Sequence, residues 1–440
     1  MRSMFDELLL NFLRNHVKGG RLRVVLPSGT TDEVGDAAQP RVAIRLSDTA
    51  ALLALLRDPD LAFGELYMDE RLQILEGSIY DLLAIAAQSV RKVKPATWIM
   101  ALRSVRDGAW RLFPGNPKSK AKANAHHHYD LDFRLYRTFL DDDFQYSCAY
   151  FENENQSLEE AQLAKKRHIA AKLLLRPGQH VLDLGCGWGG LALYLARACG
   201  AKVTGVTLSE EQHKVARARV AREGLTDKID IRLMDYRDVT GSYDRVVSVG
   251  MFEHVGKGDY APFFDRIRDA LPEDGVALLH TIGCGDEPGP TNPWVTKYIF
   301  PGGYIPALSD VTPVIEKSDL ITTDIETLRL HYAYTLKNWR RLFLSKRDVM
   351  AKLYDERFCR MWEFFLAASE AAFRFDRTLV FQVQMAKHED TVPITRDYIA
   401  RREEELRKIE RTLPPLAPVE PPVESSTRTH HPVPSVVAEA

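Results

Sequence analysis

At 440 residues the chain is longer than a single hydrophobic core usually grows, so two domains are expected. With 45% hydrophobic residues, 27% charged residues and a formal net charge of -2, the composition is that of an ordinary folded protein; it excludes wholesale disorder and gives no reason to expect nucleic acid as a partner. The five cysteines (Cys148, Cys186, Cys199, Cys284, Cys359) are scattered and odd in number, and no CxxC pair occurs, so neither a disulfide framework nor a zinc site is expected and a reducing cytoplasm fits best.

The amino terminus, MRSMFDELLLNFLRNHVKGG, carries acids inside its apolar stretch and reads as an amphipathic helix rather than a signal peptide. Nowhere is there a run of about 18 apolar residues, so contact with lipid would be peripheral. Strand-like runs at Leu22–Leu26 and Val42–Leu46, with helical periodicity over Thr49–Leu56 and Ile79–Ala87, predict a small α+β domain. Between Val90 and Lys122 nine Lys or Arg stand against one acid, Asp107, interleaved with Trp98, Trp110 and Phe113. Such a stretch suits an anionic bilayer, where each basic residue contributes about 1 kcal/mol and aromatic rings favour the headgroup level. A solvated helix and linker is the alternative reading.

From about Asp130 to Lys408 strands alternate with amphipathic helices, the pattern of a doubly wound parallel sheet. The predicted strands are His180–Leu184, Lys202–Thr207, Ile229–Leu233, Arg245–Val249 and Val276–Thr281. Residues 413–440 hold seven prolines in 28 positions and are expected to be disordered. The first strand runs into Asp183-Leu184-Gly185-Cys186-Gly187-Trp188-Gly189-Gly190, a glycine-rich turn that opens a helix. The glycine spacing alone fits either a dinucleotide or another nucleotide cofactor. A dinucleotide site would place an acid at the end of the second strand, which here ends in Thr207; the acid, Asp183, precedes the glycines instead. After that strand, Ser209-Glu210-Glu211-Gln212 reads as a capping box, with Ser209 capping the helix and Gln212 reaching back.

An apolar strand followed by Asp-x-Gly-x-Gly resembles the first motif of Rossmann-like S-adenosylmethionine methyltransferases. The resemblance implies that Asp183, Gly185, Gly187 and Gly189 hold the methionine part of the cofactor. It places the adenosine over Thr207 and Asp235-Tyr236, with Gln212 in contact. Further segments narrow the likeness: Phe63-Gly64-Glu65-Leu66-Tyr67-Met68-Asp69, His127-His128-Tyr129-Asp130, Gln145-Tyr146-Ser147-Cys148-Ala149-Tyr150-Phe151, Val249-Gly250-Met251-Phe252-Glu253-His254-Val255-Gly256 and Tyr298-Ile299-Phe300-Pro301-Gly302-Gly303. Together, over roughly residues 45 to 390, they are similar to the cyclopropane fatty acid synthase and mycolic acid cyclopropane synthase family. The extra amino-terminal domain makes the chain more like the bacterial phospholipid enzymes.

The resemblance implies a Rossmann-like class I sheet with helical acyl-binding insertions, and three segments: 1–120 for lipid approach, 121–412 for catalysis, and the tail. It implies transfer of the sulfonium methyl to a cis double bond of a phospholipid acyl chain. An alkene has no acidic proton, so its π electrons attack directly; ring closure then needs one weak base in a dry, apolar site. In the family a bound bicarbonate is that base, and its cradle maps onto Cys148, Glu253, His280, Ile282 and Tyr332, with Tyr146 and Ser147 added to the cofactor contacts. Taken singly, Cys148 reads as a small buried hydrophobe, His280 as a satisfied strand-end histidine and Tyr332 as core. The chain departs from many relatives in carrying Tyr334 rather than arginine. His126-His127-His128 is not read as a metal site, because adjacent histidines do not converge on one ion, and His127 to Asp130 is assigned to a cofactor-side lid.

Residues 292–310, with Trp294, Tyr298, Ile299, Phe300 and Tyr304, and the helical stretch 336–375 suit an acyl-chain wall. The expected assembly is a homodimer in the cytoplasm, peripheral to the membrane's inner face. The alternatives are a methyl-branched or methylene product from the same scaffold, a lipid-binding protein without chemistry, and a nicotinamide oxidoreductase.

Overall fold

The computed structural model describes residues 4–92, 100 and 133–420. The basic, aromatic stretch beyond Lys92, His126 to Asp130, and the tail beyond Glu420 lie outside the described residues.

The amphipathic amino terminus forms helix α1 (Met4–His16), followed by strands β1 (Arg21–Val25), β2 (Thr31–Gly35) and β3 (Arg41–Leu46), helices α2 (Thr49–Arg57) and α3 (Pro59–Met68), strand β4 (Leu72–Glu76) and helix α4 (Ile79–Lys92). Asp48 caps α2 by accepting from Ala51 N, and α3 starts on a proline, which lacks the N–H that a first turn cannot use. The strands form a sheet in the order β2-β1-β3-β4, with β1 and β3 parallel and both edge pairings antiparallel.

The second sheet has seven strands. The five predicted strands, β5 (His180–Leu184), β6 (Lys202–Thr207), β7 (Ile229–Leu233), β8 (Arg245–Val249) and β9 (Val276–Cys284), run parallel, β9 extending three residues past its predicted end. Two more, β10 (Ile321–Leu328) and β11 (Thr378–Ala386), complete the order β10-β11-β9-β8-β5-β6-β7, with β11 antiparallel to both neighbours. The sequence reading missed them. β10 alternates half-exposed residues, and β11 carries Gln382 and Gln384 at fully buried positions, so neither resembles the apolar runs of the parallel strands. The chain leaves β5 for β6 and β7 on one side and returns through β8 on the other, which makes the carboxyl ends of β5 and β8 the topological switch point, where ligands bind in open α/β sheets.

The helical stretch predicted from Leu336 begins earlier, as α12 (His331–Ser345), and continues as α13 (Arg347–Leu353) and α14 (Glu356–Phe375), counting α5 to α11 as the helices from Phe133 to Glu316. These helices share one apolar cluster with the amino-terminal unit, running from Leu9 through Met68 to Trp362 and Phe373. Trp294, from the 292–310 insertion, is buried where the two meet: its Nε1 donates to Met68 Sδ at 3.3 Å and its ring lies edge-on to Phe364 at 4.6 Å. The insertion thus serves at Trp294 to hold the amino-terminal unit. Peripheral ion pairs, Lys297–Glu65 at 2.6 Å, Arg357–Asp69 at 2.7 Å and Arg360–Glu70 at 2.6 Å, rim the contact and add little, being solvent-exposed.

The start of the proline-rich tail is ordered, contrary to its composition. Leu413 and Leu416 pack on the core around helix α7 (Gly190–Cys199), Ala417 N donates to Glu223 Oε1 at 3.0 Å, and Arg222 donates to Pro418 O at 2.7 Å. Proline costs such a strap little because the strap forms no ladder.

Gly64 faces Trp294 so closely that a Cβ there would lie 2.4 Å from the indole Nε1. Gly64→Ala is therefore expected to destabilise the protein by about 1–3 kcal/mol through overpacking. In a Trp294→Leu background, where the indole atoms that the added methyl strikes are gone, the same substitution should cost measurably less in thermal or denaturant unfolding.

Candidate active site

At the switch point the loops after β5, β6, β7 and β8 surround one cavity. It is lined by Tyr146, Ser147, Lys165, Asp183, Gly185, Gly187, Thr207, Gln212, Asp235, Tyr236, Gly250, Met251 and His254, among others. Tyr146, Ser147, Asp183, Gly185, Gly187, Thr207, Gln212, Asp235 and Tyr236, all predicted as cofactor contacts, are brought together there. Gly189 is not on the lining: it is the N-cap of α7, at φ 80°, with its missing side chain turned toward Ala216.

The local geometry follows from a few constraints. Gly185 adopts φ 83°, and a Cβ there would lie 2.7 Å from Met251 Cβ, so only glycine lets the β5 and β8 loops approach this closely. Ser209 caps helix α8 (Glu210–Arg222) by accepting from Gln212 N at 3.2 Å. The predicted reciprocal capping box does not form. Gln212 Oε1 instead accepts from Thr207 Oγ1 at 2.9 Å, which ties the end of β6 to the helix over the cavity. Asp235 holds Arg237 through both oxygens, at 2.8 Å to Nε and 2.7 Å to Nη2, so the acid after β7 enters the site as a paired charge. The ring of Tyr236 packs edge-on to Phe263 at 5.4 Å. Trp188 is buried against Phe133, Tyr136 and Phe144, with centroids 5.5 to 5.8 Å away.

The residues that the resemblance assigns to a cradle adjoin this lining where Glu253 precedes His254 and His280 pairs with Val249. Glu253 sits in a short 3-10 turn after β8, buried, with Oε1 accepting from Ile282 N at 2.6 Å. Burial pushes its carboxyl up to about 7, and the Ile282 N–H pulls only weakly the other way. His280, two residues earlier on the same face of β9, pairs with Val249 in the sheet and is fully buried. Burial, together with the positive field of Lys165, drives its imidazole down to about 3, so the ring is neutral. Gln382 Nε2 donates to His280 Nδ1 at 3.1 Å, which places the ring proton on Nε2. Neither His280 Nε2 nor Glu253 Oε2 has a hydrogen-bond partner among the described residues.

Cys148 follows the lining residue Ser147, and Tyr332 stands in the first turn of α12. The Cys148 thiol is buried, and burial raises its pKa far above the usual value, so it is neither a thiolate nor a nucleophile. The next residue, Ala149, donates its N–H to Thr335 Oγ1 at 3.0 Å, one turn along α12 from Tyr332. Tyr332 packs its ring on Phe373 at 4.6 Å and Trp339 at 5.7 Å. The ring of Tyr334 is covered by the Arg374 guanidinium at 5.4 Å, so a cation reaches this helix face from α14.

Sequence reasoning missed Lys165, Arg237, Met251 and His254 on the lining. Nothing in the local sequence singles out Lys165 or Arg237, and only tertiary placement makes them part of the site. No cluster that could hold a metal occurs among the described residues.

Comparison with known proteins bears on this site directly. The family model described as mycolic acid cyclopropane synthetase matches residues 116–383, and one described as a domain of unknown function matches residues 9–95. A cyclopropane-fatty-acyl-phospholipid synthase of Escherichia coli is 37% identical over 349 residues, covering 78% of this chain and 87% of that protein. A tuberculostearic acid methyltransferase of Mycobacterium tuberculosis is 36% identical over 378 residues, covering 82% of this chain and 86% of its own. Among solved structures, a mycolic acid cyclopropane synthase complexed with SAH and CTAB superposes with a TM-score of 0.57 at 32% identity, covering 60% of this chain and 97% of that one.

Asp183 is buried with Oδ2 unpartnered, and burial raises its carboxyl from 3.8 to about 7. Between those two values the folded chain keeps a proton that the unfolded chain has lost, so this residue makes stability fall as pH rises from about 4 to 7. Asp183→Asn should therefore gain stability relative to the parent progressively over that window and level off above it, as read by denaturant midpoints at pH 5 and pH 8. An equal shift at both values would contradict the raised carboxyl.

Proposed function

Because the chain belongs to the mycolic acid cyclopropane synthetase family, we propose that it cyclopropanates unsaturated acyl chains held in membrane phospholipids, using S-adenosylmethionine as methyl donor. It is an S-adenosylmethionine-dependent methyltransferase. The cavity fits that cosubstrate: a buried carboxyl oxygen of Asp183 and the buried ammonium of Lys165 share its lining with the glycine loop and with the polar groups of Thr207, Gln212 and Asp235. When bound, the cosubstrate supplies an electrophilic methyl group.

The observation that carries the reading is the pair of unpartnered buried polar atoms, Glu253 Oε2 and His280 Nε2, beside that cavity. A buried donor or acceptor left alone costs about 1–3 kcal/mol, so these two imply a small polar occupant. Near neutral pH a protonated Glu253 and the His280 Nε2–H both offer hydrogen to an anion's oxygens, with the phenol of Tyr332 and the backbone at Cys148 and Ile282 completing the contacts. Bicarbonate suits such a cradle. Held there, it accepts the proton that ring closure releases, and the neutral Cys148 and His280 compete for neither proton nor methyl. The surrounding rings, Phe139, Tyr146, Trp339 and Trp362, keep the site dry.

A second reading is open-chain methylation of the same acyl group, favoured by the 36% identity to a relative named a methyltransferase rather than a cyclopropane synthase. We take the protein to act in the cytoplasm as a homodimer at the inner face of the membrane. No helix among the described residues is long and apolar enough to cross it.

Incubation with vesicles of monounsaturated phospholipid and methyl-labelled S-adenosylmethionine should yield a ring-bearing acyl chain one methylene heavier. A labelled branched chain would select the second reading, and no label would reject both. Glu253→Gln is expected to lower product formation by about a hundredfold or more while affinity for S-adenosylhomocysteine changes little; a fully active variant would remove Glu253 from the cradle.

A further inference from the structure

Helix α6 (Leu158–Lys172) fastens the segment that closes the cofactor cavity. Gln162 Nε2 donates to Gln145 O at 3.2 Å and to Ser147 O at 3.0 Å, and one turn later Lys165 Nζ donates to Gln145 Oε1 at 2.6 Å and to Ser147 Oγ at 2.8 Å. Lys165 is 1% exposed and still lines the cavity. Both of these partners are neutral. Its neighbour Lys166 takes the ion pair with Asp143, at 2.5 Å, and Arg219 pairs with the same acid, whereas Lys165 forms no ion pair among the described residues. An ammonium has three donors, and two are used here.

A buried cation without a counter-ion is costly, and burial does pull Lys165 down to about 8 even with Asp141 and Asp143 nearby. On the same cavity, Asp183 presents an unpartnered buried carboxylate oxygen. Asp235 and Arg237, also on the lining, satisfy each other after β7, so Lys165 and Asp183 are the two incompletely matched groups, close enough for the lysine's charge to act on the carboxyl. The methionine end of the cosubstrate carries one carboxylate and one ammonium.

We propose that Lys165 is the counter-ion of the cosubstrate's α-carboxylate, taking it together with Ser147 Oγ, while Asp183 takes the α-ammonium. This rests on the methyltransferase reading and adds to it a binding residue at the zwitterionic end of the cavity. Lys165 is thus held by neutral partners on one side so that its charge remains available to the ligand on the other.

The test is calorimetric and needs no turnover. S-adenosylhomocysteine is titrated into the full-length protein and into Lys165→Met, alongside the thioether that lacks only the carboxylate. Removing one partner of a buried charge pair should weaken S-adenosylhomocysteine by at least about thirtyfold, while the decarboxylated thioether binds parent and variant alike. If both ligands weaken equally, Lys165 only holds the 145–147 segment, and the proposal falls; it also falls if neither weakens. The parent protein gives a second readout that does not depend on the variant folding. The groups facing Lys165 are Asp141, Asp143, Lys166, Cys148 and Asp183, and all are present for both ligands. Loss of the Lys165 proton above pH 8 should therefore erode the affinity advantage of the carboxylate-bearing ligand over the decarboxylated one. An advantage constant from pH 7 to 9.5 would overturn the assignment. Failure of the parent to bind S-adenosylhomocysteine at all would reject the methyltransferase reading instead.

Discussion

The pairing of β8 with β9 fixes both halves of the site at once. Val249 lies opposite His280, Gly250 N donates to His280 O at 2.9 Å, and Ile282 N donates to Glu253 Oε1 at 2.6 Å. The same β8 loop places Met251 against Gly185, so the glycine loop of β5 is positioned by the strand that also carries Glu253. A one-residue slip of this register would turn His280 to the opposite face of the sheet and separate it from the cavity. Parallel strands buried on both faces resist such slips, because every shifted side chain would meet a packed helix.

Electrostatically the site is kept almost free of mobile charge. Burial holds His254 and His280 neutral at about 4 and about 3 and leaves the Cys148 thiol protonated, so these three compete as neither strong bases nor thiolate nucleophiles, and it brings Glu253 to about 7, where the protonated form that donates a hydrogen bond is well populated near neutral pH. A cationic reaction course tolerates few nucleophiles, and a low-dielectric wall strengthens the few oriented dipoles that remain. Apart from Lys165 and Asp183, the charges that are present, Asp235 with Arg237 and Asp143 with Lys166 and Arg219, are paired away.

Most of the sheet and cofactor loop could be read from the chain because local chemistry dictates them: apolar runs of five or six residues for the buried parallel strands, and glycines where φ is positive. What escaped the sequence was set by distant partners. β11 uses buried Gln382 and Gln384 to bond His280 and Lys172 O, polar positions that periodicity counts as surface. Gln212 bonds Thr207 rather than completing a capping box, because the end of β6 offers a nearer hydroxyl. The tail to Glu420 is held by the Pro418 carbonyl meeting Arg222 and by apolar contacts that proline content does not reveal. Lys165 was invisible for the same reason: helix α6 is buried nearly all round, and its hydrophobic pattern does not distinguish a cavity-facing lysine from a solvated one.

The close fit of Gly64 beneath Trp294 has an evolutionary consequence. A bulkier residue at 64 needs a smaller side chain at 294, and Met68 and Phe364 touch the same indole, so these four positions form a unit split between the amino-terminal segment and the catalytic one. Neither segment can drift freely or be exchanged for that of a distant homologue without carrying its half of the lock. In a chimera, success would follow whether both halves came from the same parent, more than overall identity.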